Sequence, residues 1–296
     1  MMYEIFLPFW GDPQQLYETV DSVRGQTDPD WRLTIIDDCY PDESVAAYFA
    51  MEQDRRIRYI RNDHNLGITE NFRECVRRAT AARITILGSD DLLMPNYVAL
   101  VRQIAHSVPE ADVIQPGVDV IDQTGRRVLP LADRVKQRLL APHQKDITTL
   151  RGQDMATSLI RGNWLYWPSL SLRVETVRAI GFRDDFPIIL DLALLMDIAF
   201  RGGVLAYDPD KAFLYRRHSG SASQRTLLDG SRFRDDRLYF QQAREIAIAK
   251  GWRRTARAAR GRMMSRFHGL ATLPTVLGSP SREGVGSTLA HIFSMR

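Results

Sequence analysis

No run in this chain approaches the roughly 18 consecutive apolar residues that a membrane-spanning helix requires. The most apolar stretch, 188–200, is broken by Asp191 and Asp197. Cysteine is scarce: Cys39 and Cys75 could close at most one disulfide and have no metal-binding spacing. A disulfide-stapled secreted scaffold and a zinc module are therefore disfavoured, and a reducing cytoplasm is the expected location. The opening MMYEIFLPFWGD has no basic lead and carries Glu4, so it does not read as a secretory signal. There is no internal repeat and no low-complexity tract. What is present is the profile of an ordinary globular protein: 296 residues, 44% hydrophobic and 26% charged. That length allows one large α/β domain or one domain with an appendage.

Charge is uneven. The net charge is +4, but residues 229–269 hold eleven Lys/Arg against four acids, so this segment carries +7 and the rest −3. The basic character belongs to a C-terminal extension and says little about what the main body binds.

Along the first hundred residues two periodicities alternate. Apolar or β-branched runs at 3–7, 33–36, 57–60 and 84–87 predict buried strands, and helical spacing at 14–24, 44–51 and after Asn65-Leu66-Gly67 predicts helices between them. Such repeats predict a mostly parallel sheet with crossover helices. Beyond this, 112–121 predicts a strand with a hairpin partner at 127–131, and 133–149 a mobile loop. Helices are expected at 153–161, 174–180 and 190–201, the last closed by Gly202-Gly203. Strands are expected at 204–207 and 212–216. The pattern is helical from 231 to about 269, with Trp252, Met263 and Phe267 expected to be buried against the main body, and the tail beyond reads as loose.

Ligands gather at the carboxyl ends of strands in such sheets, and here those ends carry acidic pairs. Asp90-Asp91 follows a predicted strand in Leu87-Gly88-Ser89-Asp90-Asp91-Leu92-Leu93-Met94-Pro95, and Asp37-Asp38 ends another. Adjacent carboxylates repel unless a cation or hydrogen-bond donors compensate, and Mg²⁺ or Mn²⁺ commonly bridges carboxylates to substrate phosphates. The plainer alternatives are a helix cap for Asp90-Asp91, with the helix starting at Pro95, and turn-forming aspartates for Asp37-Asp38.

Across residues 3–225 the sequence resembles the family-2 glycosyltransferases of the GT-A fold. The resemblance rests on segments in the family's order: Ile5-Phe-Leu-Pro8, Leu16 to Gln26 with Thr27, Ile35-Ile-Asp-Asp38, Asn65-Leu-Gly67 with Asn71, Leu87 to Pro95, Pro168-Ser169 with Gly181-Phe182, Asp191, and Tyr215-Arg-Arg-His-Ser-Gly-Ser-Ala-Ser223. It implies a Rossmann-like, mostly parallel sheet flanked by helices. In that reading 1–228 is the GT-A domain, with a nucleotide-binding half at 1–110 and an acceptor and catalytic half at 111–228, and 229–296 is a basic helical extension. It implies a cytoplasmic, inverting transferase that moves a sugar from a nucleotide-diphosphate donor to a hydroxyl of a glycan, glycolipid or small metabolite, with Mn²⁺ or Mg²⁺.

The resemblance also implies roles. Pro8 and Phe9 would floor the nucleotide pocket, Asp37 or Asp38 would hold base or ribose, and Asn65, Gly67, Asn71 and Ser89 would complete the donor site. Gly88 stands where many members have the first acid of an Asp-x-Asp triplet; Asp91 is favoured for the metal and Asp90 for the ribose. Asp191 is placed as the base, with Leu190 where the family commonly has Glu. A carboxylate within reach of the acceptor can take its proton, and a lone charge in an apolar run must meet water, a partner or substrate. Asp197 competes for this role but lies on a different helix face.

Arg216, Arg217 and His218, beside Gly220, Ser221 and Ser223, suit a diphosphate and its metal, the plainer alternative being a solvated basic turn. Trp164, Trp167 and Ser169 are candidates for the acceptor or sugar pocket, although such a cluster is more often core. The basic extension could meet an anionic membrane surface, at the inner face. No nucleic acid is expected, because no helix-turn-helix, RNP or zinc pattern is present. A homo-oligomer stays open. Two rival functions are a sugar-phosphate nucleotidyltransferase, disfavoured because Pro8-Phe-Trp-Gly-Asp-Pro13 has no Lys or Arg, and a non-catalytic sugar-nucleotide scaffold.

Overall fold

The computed structural model describes residues 2–217, 231–277 and 282–293. One sheet organises the main body, in the order β3-β2-β1-β4-β9-β6-β10-β5, with β7 on β6 and β8 on β10. The strands are β1 (Tyr3–Phe9), β2 (Trp31–Asp37), β3 (Ile57–Arg61), β4 (Arg83–Ile86), β5 (Leu92–Leu93), β6 (Val113–Asp122), β7 (Arg127–Val128), β8 (Thr148–Arg151), β9 (Ser171–Arg173) and β10 (Val204–Arg217). β1 to β4 pair in parallel, with Leu7 opposite Ile35 and Ile35 opposite Tyr59. β9 runs antiparallel to both β4 and β6, so β6 and its parallel neighbour β10 point the same way as β4. The carboxyl ends of β1, β2, β4 and β10 therefore share one edge.

β1 and β2 read as near-continuous apolar runs because helices cover both faces of the sheet. Ile5, Leu7 and Leu33 pack with Leu16 and Val20 of α1 (Pro13–Arg24) on one face. Phe6, Ile36 and Ile86 pack on the other, the side of α6 (Gly152–Arg161) and α8 (Leu190–Phe200). The remaining helices of the body are α2 (Ser44–Ala50), α3 (Ile68–Arg78), α4 (Tyr97–Ser107), α5 (Leu131–Val135) and α7 (Val174–Ile180). Glu4, a carboxylate inside a buried strand, is satisfied by Thr80 N, Thr80 Oγ1 and Ala81 N at 2.7, 2.5 and 2.8 Å, which fastens the entry to β4.

Four expectations are corrected. Residues 133–149 are not a loop throughout: Pro130 opens α5, a π-helical turn (Lys136–Leu140) follows, and β8 begins at Thr148. No helix starts at Pro95; β5 intervenes and α4 begins at Tyr97. The strands expected at 204–207 and 212–216 are one strand, β10, with register shifts between Tyr207 and Phe213. The tail is not all loose, since α12 (Arg282–Phe293) forms within it.

The extension folds as α9 (Ser231–Ala249), α10 (Arg253–Gly261), α11 (Met263–Leu277) and α12. It joins the body through Tyr239, Phe240, Ala243, Ala247 and Ala259, with Trp252 half-buried against the same core. Met263 and Phe267, expected inside, are 63% and 56% exposed. No helix among the described residues is long and apolar enough to cross a membrane.

Candidate active site

At the carboxyl edge of β2 the acidic pair is locked by its own loops. Asp37 accepts from Tyr40 N at 2.7 Å and from the Tyr59 hydroxyl. Cys39 takes a positive φ of 60°, a backbone rarely adopted outside glycine, and so turns the chain back toward Asp37. Asp38 accepts from Asn62 Nδ2, Leu66 N and Gly67 N at 2.9, 2.8 and 2.9 Å. Gly67, at φ 79°, also donates to Asn65 Oδ1 at 3.1 Å. The Asp37 carboxylate thus ties the turn at Tyr40 to β3, and the Asp38 carboxylate holds the 62–67 loop. Asn71, at the start of α3, donates to Ile36 O at 3.3 Å, while its buried Oδ1 has no protein partner. Pro8 and Phe9 end β1; Phe9 lies 5.0 Å from the Tyr40 ring, and Tyr40 in turn 5.6 Å from exposed Trp10, forming an aromatic shelf.

The second pair sits at the end of β4. Asp91 is 1% exposed, and its Oδ1 accepts from Arg216 N at 2.8 Å. Burial, then the neighbouring Asp90 charge, hold its carboxyl well above the usual carboxylate range against the pull of Arg216 and Arg217. Because α4 starts only at Tyr97, neither acid caps it. Arg216 is buried and engaged: it donates to Asp90 O at 2.7 Å, to Gln123 O at 3.3 Å and to Glu18 at 2.8 Å. Thr19 Oγ1 donates to Asp91 O at 2.8 Å. The loop is therefore pinned from β10 and from α1, and Ser89 Oγ lies 3.5 Å from the position of a side chain on Gly11.

Gly88 explains how two carboxylates fit here. A Cβ at this residue would lie 2.5 Å from Asp91 Oδ2 and 3.0 Å from Asp90 Oδ1, so the two oxygens converge over the glycine. Gly88→Ala should cost about 1–3 kcal/mol through overpacking and weaken Mn²⁺-dependent nucleotide binding. Melting curves and calorimetry check this, and wild-type values in both would mean that the carboxylates swing clear freely.

Arg217 meets an acid that the sequence reading missed. Asp133, fully buried on α5, accepts from Arg217 Nε and Nη2 at 3.1 and 2.9 Å and from the Tyr166 hydroxyl at 2.9 Å. The Arg217 side chain keeps 37% of its exposure and stacks 4.9 Å over Tyr215. His218, Gly220, Ser221 and Ser223 lie outside the described residues.

Asp191 lies in the first turn of α8, the helix that leads into β10. Asp191 is half-buried and accepts from Asn163 Nδ2 at 3.1 Å, a second partner the sequence did not disclose. Asp197, near the other end of the helix, faces Arg183 at 3.9 Å, and burial raises its carboxyl.

Two of the pocket candidates are buried. Trp164 is 2% exposed, and its Nε1 donates to Ser158 Oγ at 3.0 Å. Ser169 is fully buried between Gln115 Nε2 and Tyr166 O. Ser169 is interior, while Trp164 contributes to the wall of a cavity of about 290 Å³ together with Gln115, Tyr166 and Tyr207. Trp167, half-buried, stacks on Phe72 at 5.7 Å and has an Nε1 with no protein partner. The adjacent side chains Asn71 and Phe72 thus bring one orphaned acceptor and one orphaned donor into the same neighbourhood.

Comparison with known proteins places this geometry. The model of the glycosyl transferase family 2 matches residues 4–166. A protein of Sinorhizobium fredii, y4gI, is 33% identical over 118 residues, which is 39% of this chain and 13% of that protein. WcaA of Escherichia coli K12, a glycosyl transferase assigned to colanic acid biosynthesis, is 30% identical over 100 residues, 33% of this chain and 36% of that protein. The chain thus spans well under half the length of these relatives. Among solved structures, Staphylococcus aureus TarS 1-349 in complex with UDP-GlcNAc superposes with a TM-score of 0.67 at 14% identity, over 99% of this chain and 82% of that one. The fold is the same mixed, mostly parallel GT-A architecture with helices after it.

Proposed function

The chain belongs to glycosyl transferase family 2, and from that premise we propose that it transfers a sugar from a nucleotide diphosphate to an acceptor hydroxyl with inversion at the anomeric carbon. The observation that carries this reading is the convergence of Asp90 and Asp91 over Gly88, just beyond the carboxyl end of β4. The acceptor oxygen attacks the anomeric carbon, the bond from that carbon to the diphosphate oxygen breaks, and the electron pair leaves on the diphosphate. Asp191 accepts the hydroxyl proton as the attack proceeds, and Asn163 fixes which way its carboxylate points. Holding acceptor and donor in line supplies much of the acceleration.

The nucleotide half is 1–110, with the Phe9, Tyr40 and Trp10 shelf toward the base and the loop held by Asp38 toward the ribose. Asn71 Oδ1 and Trp167 Nε1 are buried polar atoms without a protein partner, close to the loop held by Asp38 and to Phe72 respectively. The catalytic half is 111–228, where Arg217 keeps an exposed portion for the diphosphate. Two converging carboxyls, Asp91 buried and Asp90 half-buried, fit a hard divalent cation held largely through phosphate oxygens. No third acidic, His or Cys side chain joins them among the described residues. Asp91 and Asp90, with His218, would hold Mn²⁺ or Mg²⁺, and a bound cation supplies charge neutralisation for the departing diphosphate. The basic extension, 229–296, places the enzyme at the inner face of a membrane.

A thermal-shift panel of UDP-, GDP-, dTDP- and CDP-sugars tests this, with UDP-GlcNAc first because TarS binds it. One nucleotide class should raise the melting temperature, and more so with Mn²⁺. No response from any of them would end the proposal.

A further inference from the structure

The cleft between α9 and α10 gathers four arginines, of which Arg237 already donates to Ser287 O at 2.8 Å. It is a cavity of about 240 Å³ where Arg237 and Arg244 of α9 face Arg260 and Arg262, over a floor of Phe240 and Ala259, and no carboxylate lines it. Arg237, Gln241 and Arg244 recur at helical spacing, so one face of α9 presents them together. Arg262 is 4% exposed and links α10 to α11 with φ 47°, a left-handed backbone unusual outside glycine. Burial and the charges of Arg266 and Arg237 lower its guanidinium, and burial with Arg234 does the same for Arg237. Asp236 is the acid that opposes both effects, and it already accepts from Ser265 Oγ at 2.7 Å. Forked guanidinium donors suit the oxygens of a phosphate.

The residue after Arg262 begins an apolar stripe. Met263, Phe267, Leu270 and Leu277 follow one face of α11 and are 63, 56, 52 and 59% exposed. A soluble phosphate would use the arginines alone; an amphiphile with an anionic head would use the arginines and the stripe together. We propose that this cleft binds the phosphate of an anionic membrane lipid while α11 lays its apolar face on the same bilayer, a reading that rests on the membrane-facing role given above to the extension.

Flotation of the full chain with phosphatidylcholine vesicles, with and without phosphatidylglycerol, tests it, with circular dichroism confirming that each variant folds. Binding is expected only to the anionic vesicles. The pair Arg244→Ala and Arg260→Ala should lower it about tenfold or more, as should Phe267→Ser with Leu270→Ser. The charge-matched pair Arg253→Ala and Arg257→Ala, on exposed positions outside the cleft, should lower it by only about threefold or less. Equal losses from the two arginine pairs would overturn the cleft and leave a diffuse basic face on a membrane-bound enzyme. No partition into any vesicle would overturn the membrane reading itself. Stabilisation by inorganic phosphate without vesicle binding would assign the cleft to a soluble anion and overturn the lipid.

Discussion

Asp191→Asn should reduce turnover by about 10²-fold or more with nucleotide-sugar binding unchanged. The substitution keeps size and keeps an oxygen able to accept from Asn163 Nδ2, so the first turn of α8 should hold its shape. What is lost is the negative charge that takes a proton. An amide cannot act as a base at neutral pH, so the acceptor would have to attack with its proton still attached. Because Asp191 lies on a different element from the Asp90-Asp91 loop, the donor side should be indifferent to the change. Steady-state kinetics with calorimetry of the donor separates these outcomes: a wild-type kcat removes Asp191 from the chemistry, whereas a loss confined to donor affinity moves it to the nucleotide site.

The second large effect is at Asp91. Replacement by alanine should abolish the Mn²⁺-dependent part of nucleoside diphosphate binding, read by calorimetry with and without the metal. Two carboxyls converge over Gly88, and Asp91 is the more buried. Its removal leaves Asp90 alone with the cation and deprives Arg216 N of an acceptor. The protein should lose stability as well, since an unmatched buried donor costs about 1–3 kcal/mol. Asp91→Asn is the cleaner control, because the amide oxygen can still accept from Arg216 N. Retained metal dependence in both variants would move the cation to other ligands.

Much of the nucleotide half was legible in the sequence because its strands are buried on both faces and announce themselves as apolar runs stopped by polar pairs. Leu33 to Ile36 ending at Asp37-Asp38 is one such case. The reason for the aspartates was less legible. Asp38 serves Leu66 and Gly67, and Asp133 serves Arg217, pairings 28 to 84 residues apart that no local pattern encodes. Pro130 before Leu131 was a readable helix start, and it would have drawn attention to Asp133. The tail helix escaped because Gly284 and Gly286 each cost about 1 kcal/mol of helix propensity. Packing of that helix against α11 and α9 offsets this, and only the folded structure discloses it. Ser169 illustrates the converse: its position after Pro168 suggested a pocket, and packing made it interior.

Gly88 carries one more consequence. An acid reintroduced there would have to displace the two it was meant to assist, since their oxygens already fill the space its first carbon needs. Glycine at this position is thus what leaves room for the two carboxyls, and a motif filter demanding an acid there would pass over enzymes built this way.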